Sequence, residues 1–238
     1  MKQIILILTL FSSIVAFGQN RELHIKTYAD GDTSLWYKWR NELCSQIELD
    51  SVQNSENNWH FRLWTNKQAI DIWEDVDGRT FSKVISWTKE YTPNDEEPTN
   101  RIFYENKLLD SAKTNKLIKL IDFTQIKNIP GVDSIESWGQ GFDGITYIIE
   151  TADSNEYFFK TYWTPTAQDS LKEAIVVQNF VDRCLEITDS KEIWSDFASR
   201  IPFQCYINGG PMITCKILTK RERRTYKKER NNYRQQQL

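Results

Sequence analysis

The sequence predicts an α+β protein in which an antiparallel β-meander is followed by a β-hairpin and amphipathic helices. Two observations support this fold class. Residues 59–91 contain three short runs that alternate apolar and polar side chains and are separated by turn residues. Residues 167–187 instead repeat apolar side chains at spacings of three and four, which is the period of a helix that packs on a sheet.

Two turns set the register that we expect for the strands of residues 59–91. Asn66-Lys67 would close the first hairpin and place Arg62 opposite Asp71. Asp77-Gly78 would close the second hairpin as a two-residue type I′ turn, in which both turn residues need positive φ, and would place Asp71 opposite Val84.

Side-chain alternation then divides these strands into two faces. The face expected in the core carries Trp59, Phe61, Leu63, Ile70, Ile72, Phe81, Ile85 and Trp87, with Glu74 and Lys83 at its rim. The opposite face, called here the outer face, carries His60, Arg62, Trp64, Ala69, Asp71, Trp73, Ser82, Val84, Ser86 and Thr88.

The outer face is the candidate functional surface. Trp64 and Trp73 offer rings on which a sugar or an apolar group can stack, and Arg62, Asp71 and His60 offer polar neighbours for hydrogen bonds. The alternative is that the two rings pack beneath a helix or a second sheet. In that case the arginine and the aspartate form an ordinary cross-strand pair.

The rest of the first region is also predicted to be strand. Residues 22–28, 35–40 and 45–51 would be short strands, the last because Ile47 and Leu49 alternate with polar neighbours. With residues 59–91 they would form one antiparallel meander inside a β-rich region of residues 19–110. Residues 101–109 would supply a further strand.

An α+β region of residues 111–215 is expected to continue the same sheet. Helices are predicted at about residues 111–126, 167–187 and 190–199, and strands at 145–151 and 156–163. Gly139, Gly141 and Gly144 match the G-x-G-x-x-G spacing of a phosphate-binding loop. A strand follows them where that motif requires a helix, so we interpret the segment as a loop that opens a strand.

The four cysteines allow two disulfides in an oxidising compartment. Cys205 and Cys215 flank Gly209-Gly210 in a segment typical of a hairpin, which would place the two thiols opposite each other. Cys44 and Cys184 would then form the second bridge. The alternative is that Cys184, on the apolar face of its helix, is a buried free thiol.

Residues 1–18 have the pattern of a secretory signal peptide. One Lys precedes an apolar run that is too short for a comfortable membrane span, and cleavage is expected after Gly18. We therefore expect the mature chain to be exported, to the periplasm or to the medium. The alternative is an uncleaved N-terminal anchor.

The C-terminal tail, residues 216–238, is basic whereas the rest of the mature chain is acidic. The tail carries nine Lys or Arg against two Glu, and residues 19–215 carry a net charge of about −11. The tail is expected to be a frayed, solvated helix. It could also contact an anionic surface, such as phosphate-bearing envelope lipid, an acidic partner or the acidic body itself. No nucleic-acid partner is expected.

The sequence lacks a recognisable catalytic or metal-binding constellation. A triad of His60 and Asp71 would need Ser82 or Ser86, and a flat sheet offers no oxyanion hole. No cofactor is expected. The nine Trp and the signal peptide favour an exported, envelope-associated binding protein without catalytic activity, with a glycan or an envelope protein as candidate partner. The alternatives are a carbohydrate-active hydrolase and a carrier of small apolar ligands inside a closed meander.

Overall fold

The computed structural model describes residues 21–28, 31–92, 98–169, 171–208 and 212–236. Five helices and nine strands lie in these ranges, which confirms the predicted α+β class. The strands are β1 (Glu22–His24), β2 (Trp59–Trp64), β3 (Gln68–Glu74), β4 (Thr80–Glu90), β5 (Ile102–Leu108), β6 (Thr146–Asp153), β7 (Glu156–Trp163), β8 (Cys205–Ile207) and β9 (Ile213–Cys215). The helices are α1 (Leu35–Gln46), α2 (Ser111–Thr124), α3 (Lys172–Ile187), α4 (Ser190–Arg200) and α5 (Lys220–Gln236). The predicted signal peptide and the predicted Gly209-Gly210 turn lie outside the described residues.

The described strands join one open, mixed sheet. Their order is β1-β7-β6-β2-β3-β4-β8-β9, and β5 also pairs with β4. Strands β2 to β5 form an antiparallel meander, and the β6–β7 hairpin extends it through antiparallel pairing of β6 with β2. Strand β1 instead pairs in parallel with β7. The prediction of one antiparallel meander over the first region is therefore wrong in part.

The β2–β3 hairpin has the predicted register. Arg62 lies directly opposite Asp71. Thr65 N donates to Gln68 O at 2.8 Å, and the Thr65 hydroxyl donates to the same carbonyl at 2.8 Å. These hydrogen bonds close the two-residue turn and hold the register in place.

The β3–β4 hairpin differs from the prediction by one residue. Its loop has three residues instead of two, because Asp75 N donates to Arg79 O at 2.9 Å and Gly78 takes a φ of +80° as the last loop residue. Asp71 therefore lies opposite Lys83. A shift of one residue exchanges the two faces of β4. The outer face consequently gains Phe81, Lys83, Ile85 and Trp87, and loses Ser82, Val84, Ser86 and Thr88.

Helix α1 replaces the strands that were predicted at residues 35–40 and 45–51. The Ser34 hydroxyl caps it by accepting a hydrogen bond from Tyr37 N at 3.3 Å. The alternation that suggested a second strand belongs to the turn after the helix, where Ile47 N donates to Leu43 O at 3.0 Å and Glu48 has a φ of +51°. A helix therefore lies where the second strand of the meander was expected.

The helices of the second half lie close to their predicted positions. Asp110 caps α2 by accepting a hydrogen bond from Lys113 N at 2.8 Å. Helix α3 begins at Lys172, because Pro165–Ala167 forms a separate 3₁₀ turn, and α4 matches its prediction to within one residue. Strand β6 follows the glycine-rich segment, as predicted. None of the described helices is both long and apolar enough to cross a membrane.

Buried apolar side chains lie on both faces of the sheet. Helices α2 and α3 cover the inner face, where the core includes Phe61, Leu63, Ile70, Ile72, Val84, Leu117, Ile121, Val177, Phe180 and Val181. Helix α1 and the residues after it cover much of the outer face, where a second core includes Cys44, Ile47, Leu49, Val52, Trp64, Ala69, Ile85, Trp87, Ile148 and Tyr157. The outer face is thus largely a buried layer.

One of the two predicted disulfides is present. Cys205 and Cys215 lie opposite each other on β8 and β9 and are bonded, as predicted. The predicted second bridge is wrong, because Cys44 and Cys184 are free thiols buried in the two separate cores. The sheet lies between them.

Candidate functional site

The five candidate residues of the outer face lie on two neighbouring strands, as predicted, but in two different environments. Trp64 and Arg62 are enclosed by the second core, with exposed fractions of 0% and 1%. His60, Asp71 and Trp73 line a pocket at the other end of the hairpin. The candidate surface is therefore smaller than the sequence suggested.

Trp64 is a packing residue beneath α1. Its indole Nε1 donates to the Glu150 carboxylate, and the Trp87 ring meets it edge-on at 5.4 Å between ring centroids. The Arg40 guanidinium of α1 lies 4.8 Å from the Trp64 ring centroid, and burial lowers the pKa of this arginine to about 10. A ligand has no access to this ring.

Asp71 is the centre of a buried charge network. Its carboxylate accepts two hydrogen bonds from Arg62, at 2.9 Å from Nε and 3.0 Å from Nη2, and lies 2.7 Å from His60 Nε2. The Lys83 ammonium lies 3.7 Å away. The expected ordinary cross-strand pair is instead a bidentate ion pair in the interior.

Burial and charge act in opposite directions on this pair. Burial alone would raise the pKa of the Asp71 carboxyl, but the charge of Arg62 and the hydrogen bonds from Arg62 and His60 outweigh it and hold that pKa well below its usual range. Burial alone would lower the pKa of Arg62, but the charge of Asp71 raises it above its usual value. The carboxylate is therefore ionised under all ordinary conditions.

His60 has one ring nitrogen with a partner and one without. A carboxylate can only accept, so the proton of the neutral ring lies on Nε2, which donates to Asp71. Nδ1 is then an acceptor, and it is buried with no hydrogen-bond partner among the described residues. An unpaired acceptor in a residue that is only 4% exposed is costly to the fold.

We call the cavity beside this ring the His60 pocket. Its volume is about 560 Å³. The sheet supplies His60, Asp71, Trp73 and Lys83 to its wall, and the loop of residues 50–57 supplies Asp50, Ser51, Asn54, Ser55, Glu56 and Asn57.

Trp73 is the aromatic side chain of the His60 pocket. It is partly exposed, stacks on Phe81 at 5.6 Å between ring centroids, and has the Lys83 ammonium 5.4 Å from its own centroid. Phe81 and Lys83 reach this position only because of the three-residue loop between β3 and β4. The sequence placed both on the other face.

Two arginines hold the 50–57 loop against the sheet. Arg62 Nη2 donates to Asp50 O at 3.0 Å. The Arg21 guanidinium donates to Gln53 O at 2.7 Å and to Ser55 O at 2.6 Å. The polar wall of the pocket is therefore fixed in place by charged hydrogen bonds to backbone carbonyls.

The serines of β4 take no part in this site. The Ser82 hydroxyl lies 2.7 Å from that of Thr114, and Ser86 accepts a hydrogen bond from Gln68 at 3.1 Å. Both belong to the inner face. A triad with His60 is therefore not assembled.

A second cavity, of about 610 Å³, lies between the β2–β3 turn and helices α3 and α4. Lys67 lies with its ammonium 4.8 Å from the Trp194 ring centroid, and burial lowers the pKa of this lysine. The sequence did not indicate this cavity, because its walls come from distant segments.

Glu22, His24 and Glu156 form a cluster that could hold a divalent metal ion. One ligand atom from each lies within 4.8 Å of the others, and His24 Nε2 is 3.2 Å from the Glu156 carboxylate. The parallel pairing of β1 with β7, which the sequence did not predict, brings them together. Hydrogen bonding within this cluster and its partial exposure to solvent explain the arrangement without a bound ion.

No protein-family model matches the chain, and no curated protein is similar to it. Function has to be inferred from the geometry of the sites.

Proposed function

We propose that this chain is an exported, envelope-associated binding protein, and that its ligand is a glycan held in the His60 pocket. The observation that carries the proposal is the Nδ1 atom of His60, a buried acceptor with no partner in the described part of the chain. The His60 side chain lines a polar cavity of about 560 Å³. A small rotation of the ring toward this cavity would let a ligand hydroxyl donate to Nδ1.

The composition of the pocket suits a sugar. Sugar hydroxyls both donate and accept, and the wall offers carboxylates, amides and hydroxyls from the 50–57 loop together with the Lys83 ammonium. Trp73 supplies the aromatic surface on which the C–H face of a sugar ring can stack. The combination favours a neutral or weakly charged polyhydroxyl ligand.

Two features support export. Residues 1–18 have the signal-peptide pattern, and the Cys205–Cys215 bridge is of the kind that persists in oxidising compartments. A partner in the periplasm or outside the cell, such as an envelope glycan, fits this location.

A carbohydrate-active hydrolase is the second candidate, because Asp50, Glu56 and Asp71 all line the pocket. Asp71 cannot be its general acid, since its pKa lies well below the usual range and it carries no proton to give. The general acid would have to be Asp50 or Glu56, and the ionised base or nucleophile could be Asp71 or the other of these two carboxylates. Release of reducing ends from a bound glycan would favour this candidate, and a glycan recovered intact would favour binding alone. The apolar-ligand carrier gains no support, because the described sheet is open and filled on both faces.

The experiment is a pull-down of the mature chain on insoluble envelope polysaccharide and peptidoglycan, with three variants. Trp73→Ala removes the stacking ring. His60→Gln keeps an N–H donor for Asp71, and its amide oxygen does not occupy the position of Nδ1. Trp39→Ala is the matched control, because this indole is 53% exposed and lies on α1, outside the pocket.

We expect Trp73→Ala and His60→Gln each to weaken binding by about tenfold or more, which corresponds to roughly 1.4 kcal/mol. The Trp39→Ala variant should bind as the wild type does. Equal binding by all four proteins, or no binding by the wild type, would overturn the proposal. Circular dichroism of each variant separates a lost contact from a lost fold.

A further inference from the structure

Helix α5 carries an uninterrupted basic face. Exposed Lys and Arg recur along it at spacings of three and four, so that they project from one side of the helix. The residues of this basic face are Lys220, Arg223, Arg224, Lys227 and Lys228. Its two acids, Glu222 and Glu229, fall on another side and line a groove against residues 201–204. The charge of the basic face is therefore not offset along the helix itself.

The opposite side of α5 holds the helix to the body. Tyr226 is buried and its hydroxyl donates to the Glu90 carboxylate of β4. Tyr233 packs under the Arg101 guanidinium at 5.3 Å from the ring centroid. The expected frayed, solvated tail is thus a docked helix, and the docking turns the basic face outward.

A capping box fixes where the helix begins. Thr219 N donates to the Glu222 carboxylate at 2.8 Å, and Glu222 N donates to the Thr219 hydroxyl at 3.3 Å. The basic face therefore starts within the first turn. Within the described part of the chain, no acid forms an ion pair with any residue of this face.

Exposed aliphatic side chains stand just before this helix. Ile217 is fully exposed to solvent and Met212 is 79% exposed. Exposed large apolar residues beside a cluster of Lys and Arg are the usual combination at a surface that meets lipid headgroups.

We propose that the basic face of α5 and Ile217 dock this protein on an anionic lipid surface. The remainder of the mature chain has a net charge of about −11, so an anionic bilayer would repel the body of the protein as a whole. Phosphate-bearing headgroups pair with the basic face while Ile217 enters the interface. This contact is independent of the His60 pocket.

The test is co-sedimentation of the mature chain with vesicles of phosphatidylcholine, with and without phosphatidylglycerol, at low and high salt. We expect binding only to the anionic vesicles, and loss of that binding in high salt. Arg224→Gln/Lys227→Gln/Lys228→Gln should lower the partition coefficient by roughly a hundredfold, at about fivefold per charge. Ile217→Ser should lower it by several fold and leave its salt dependence unchanged.

The matched control removes three charges elsewhere. Lys107→Gln/Lys116→Gln/Lys119→Gln changes net charge equally, and all three lysines are exposed on β5 and α2. This variant should bind anionic vesicles as the wild type does, and so should Trp73→Ala. Equal losses in both triple variants would reduce the effect to net charge and overturn the proposal. Equal binding to neutral and anionic vesicles would also overturn the proposal, as would tighter binding to a duplex oligonucleotide than to anionic vesicles.

Discussion

Replacing Arg62 by Met should destabilise the whole fold, because it leaves the buried Asp71 carboxylate without its ion-pair partner. The substitution removes two hydrogen bonds, of 2.9 and 3.0 Å, from the Asp71 carboxylate, which is only 1% exposed. His60 remains in contact, but the Lys83 ammonium lies 3.7 Å away and cannot replace a bidentate partner. Breaking a buried pair from one side costs about 3–5 kcal/mol. For a domain of this size the melting temperature should fall by about 6–20 °C.

Urea unfolding of residues 19–238 measures this loss. Arg79→Met is the control, because that side chain is 67% exposed and its pairs with Asp75 and Asp77 should contribute less than about 1 kcal/mol. The double variant Arg62→Met/Asp71→Leu should regain much of the stability, since it leaves no charge behind. A free energy of unfolding for Arg62→Met within about 1 kcal/mol of the wild type would refute the reasoning.

Three further predictions concern the core and its titrating groups. Trp64→Ala should lower the free energy of unfolding in urea by about 3–5 kcal/mol, and Trp39→Ala should lower it by less than about 1 kcal/mol. Similar losses of stability in the two variants would show that burial of Trp64 does not stabilise the fold as described. Asp71 has a pKa below its usual value, so its contribution to stability is complete above about pH 4 and is lost as the pH falls below that. The free energy of unfolding of Asp71→Asn should therefore fall less steeply than that of the wild type as the pH is lowered below about 4. Parallel curves for the two proteins would contradict this. Cys44 and Cys184 should react with a thiol reagent only after denaturation, because both are buried and burial raises the pKa of Cys44 to about 12; rapid labelling of the native chain would contradict this.

The parts of the fold that rest on local signals could be predicted from the sequence. The Asn66-Lys67 turn set the register of β2 and β3. The spacing of apolar residues located α3 and α4 to within a few residues. Cys205 and Cys215 flank a hairpin, so their bridge followed from local geometry.

Other parts of the fold could not be predicted, because the local sequence fits more than one structure or because the contact joins distant segments. Residues 35–51 fit both an alternating and a helical pattern, and the Ser34 cap together with burial against the sheet selects the helix. Gly78 can end a two-residue or a three-residue loop, and the second option moves every side chain of β4 to the other face. The parallel pairing of β1 with β7 joins segments more than a hundred residues apart.

The hairpin register predicted which candidate residues are neighbours, but it did not predict their surroundings. The hairpin register alone placed Arg62 opposite Asp71. Whether Trp64 was open or buried depended on α1, which the sequence interpretation had assigned to strands. The polar wall of the pocket comes from a loop that Arg21 and Arg62 hold in place through hydrogen bonds to its backbone carbonyls. No local sequence pattern indicates such long-range contacts.

The most direct test of the His60 pocket as a ligand site is NMR of the histidine ring nitrogens. The chain has only two histidines, His24 and His60, so ¹⁵N-histidine labelling gives two ring systems to follow. In the neutral ring of His60 we expect the proton on Nε2, facing Asp71, and we expect soluble glycan fragments to shift the Nδ1 signal of His60 alone. A proton on Nδ1 of His60, or glycan-dependent shifts confined to His24, would contradict the assignment of this pocket.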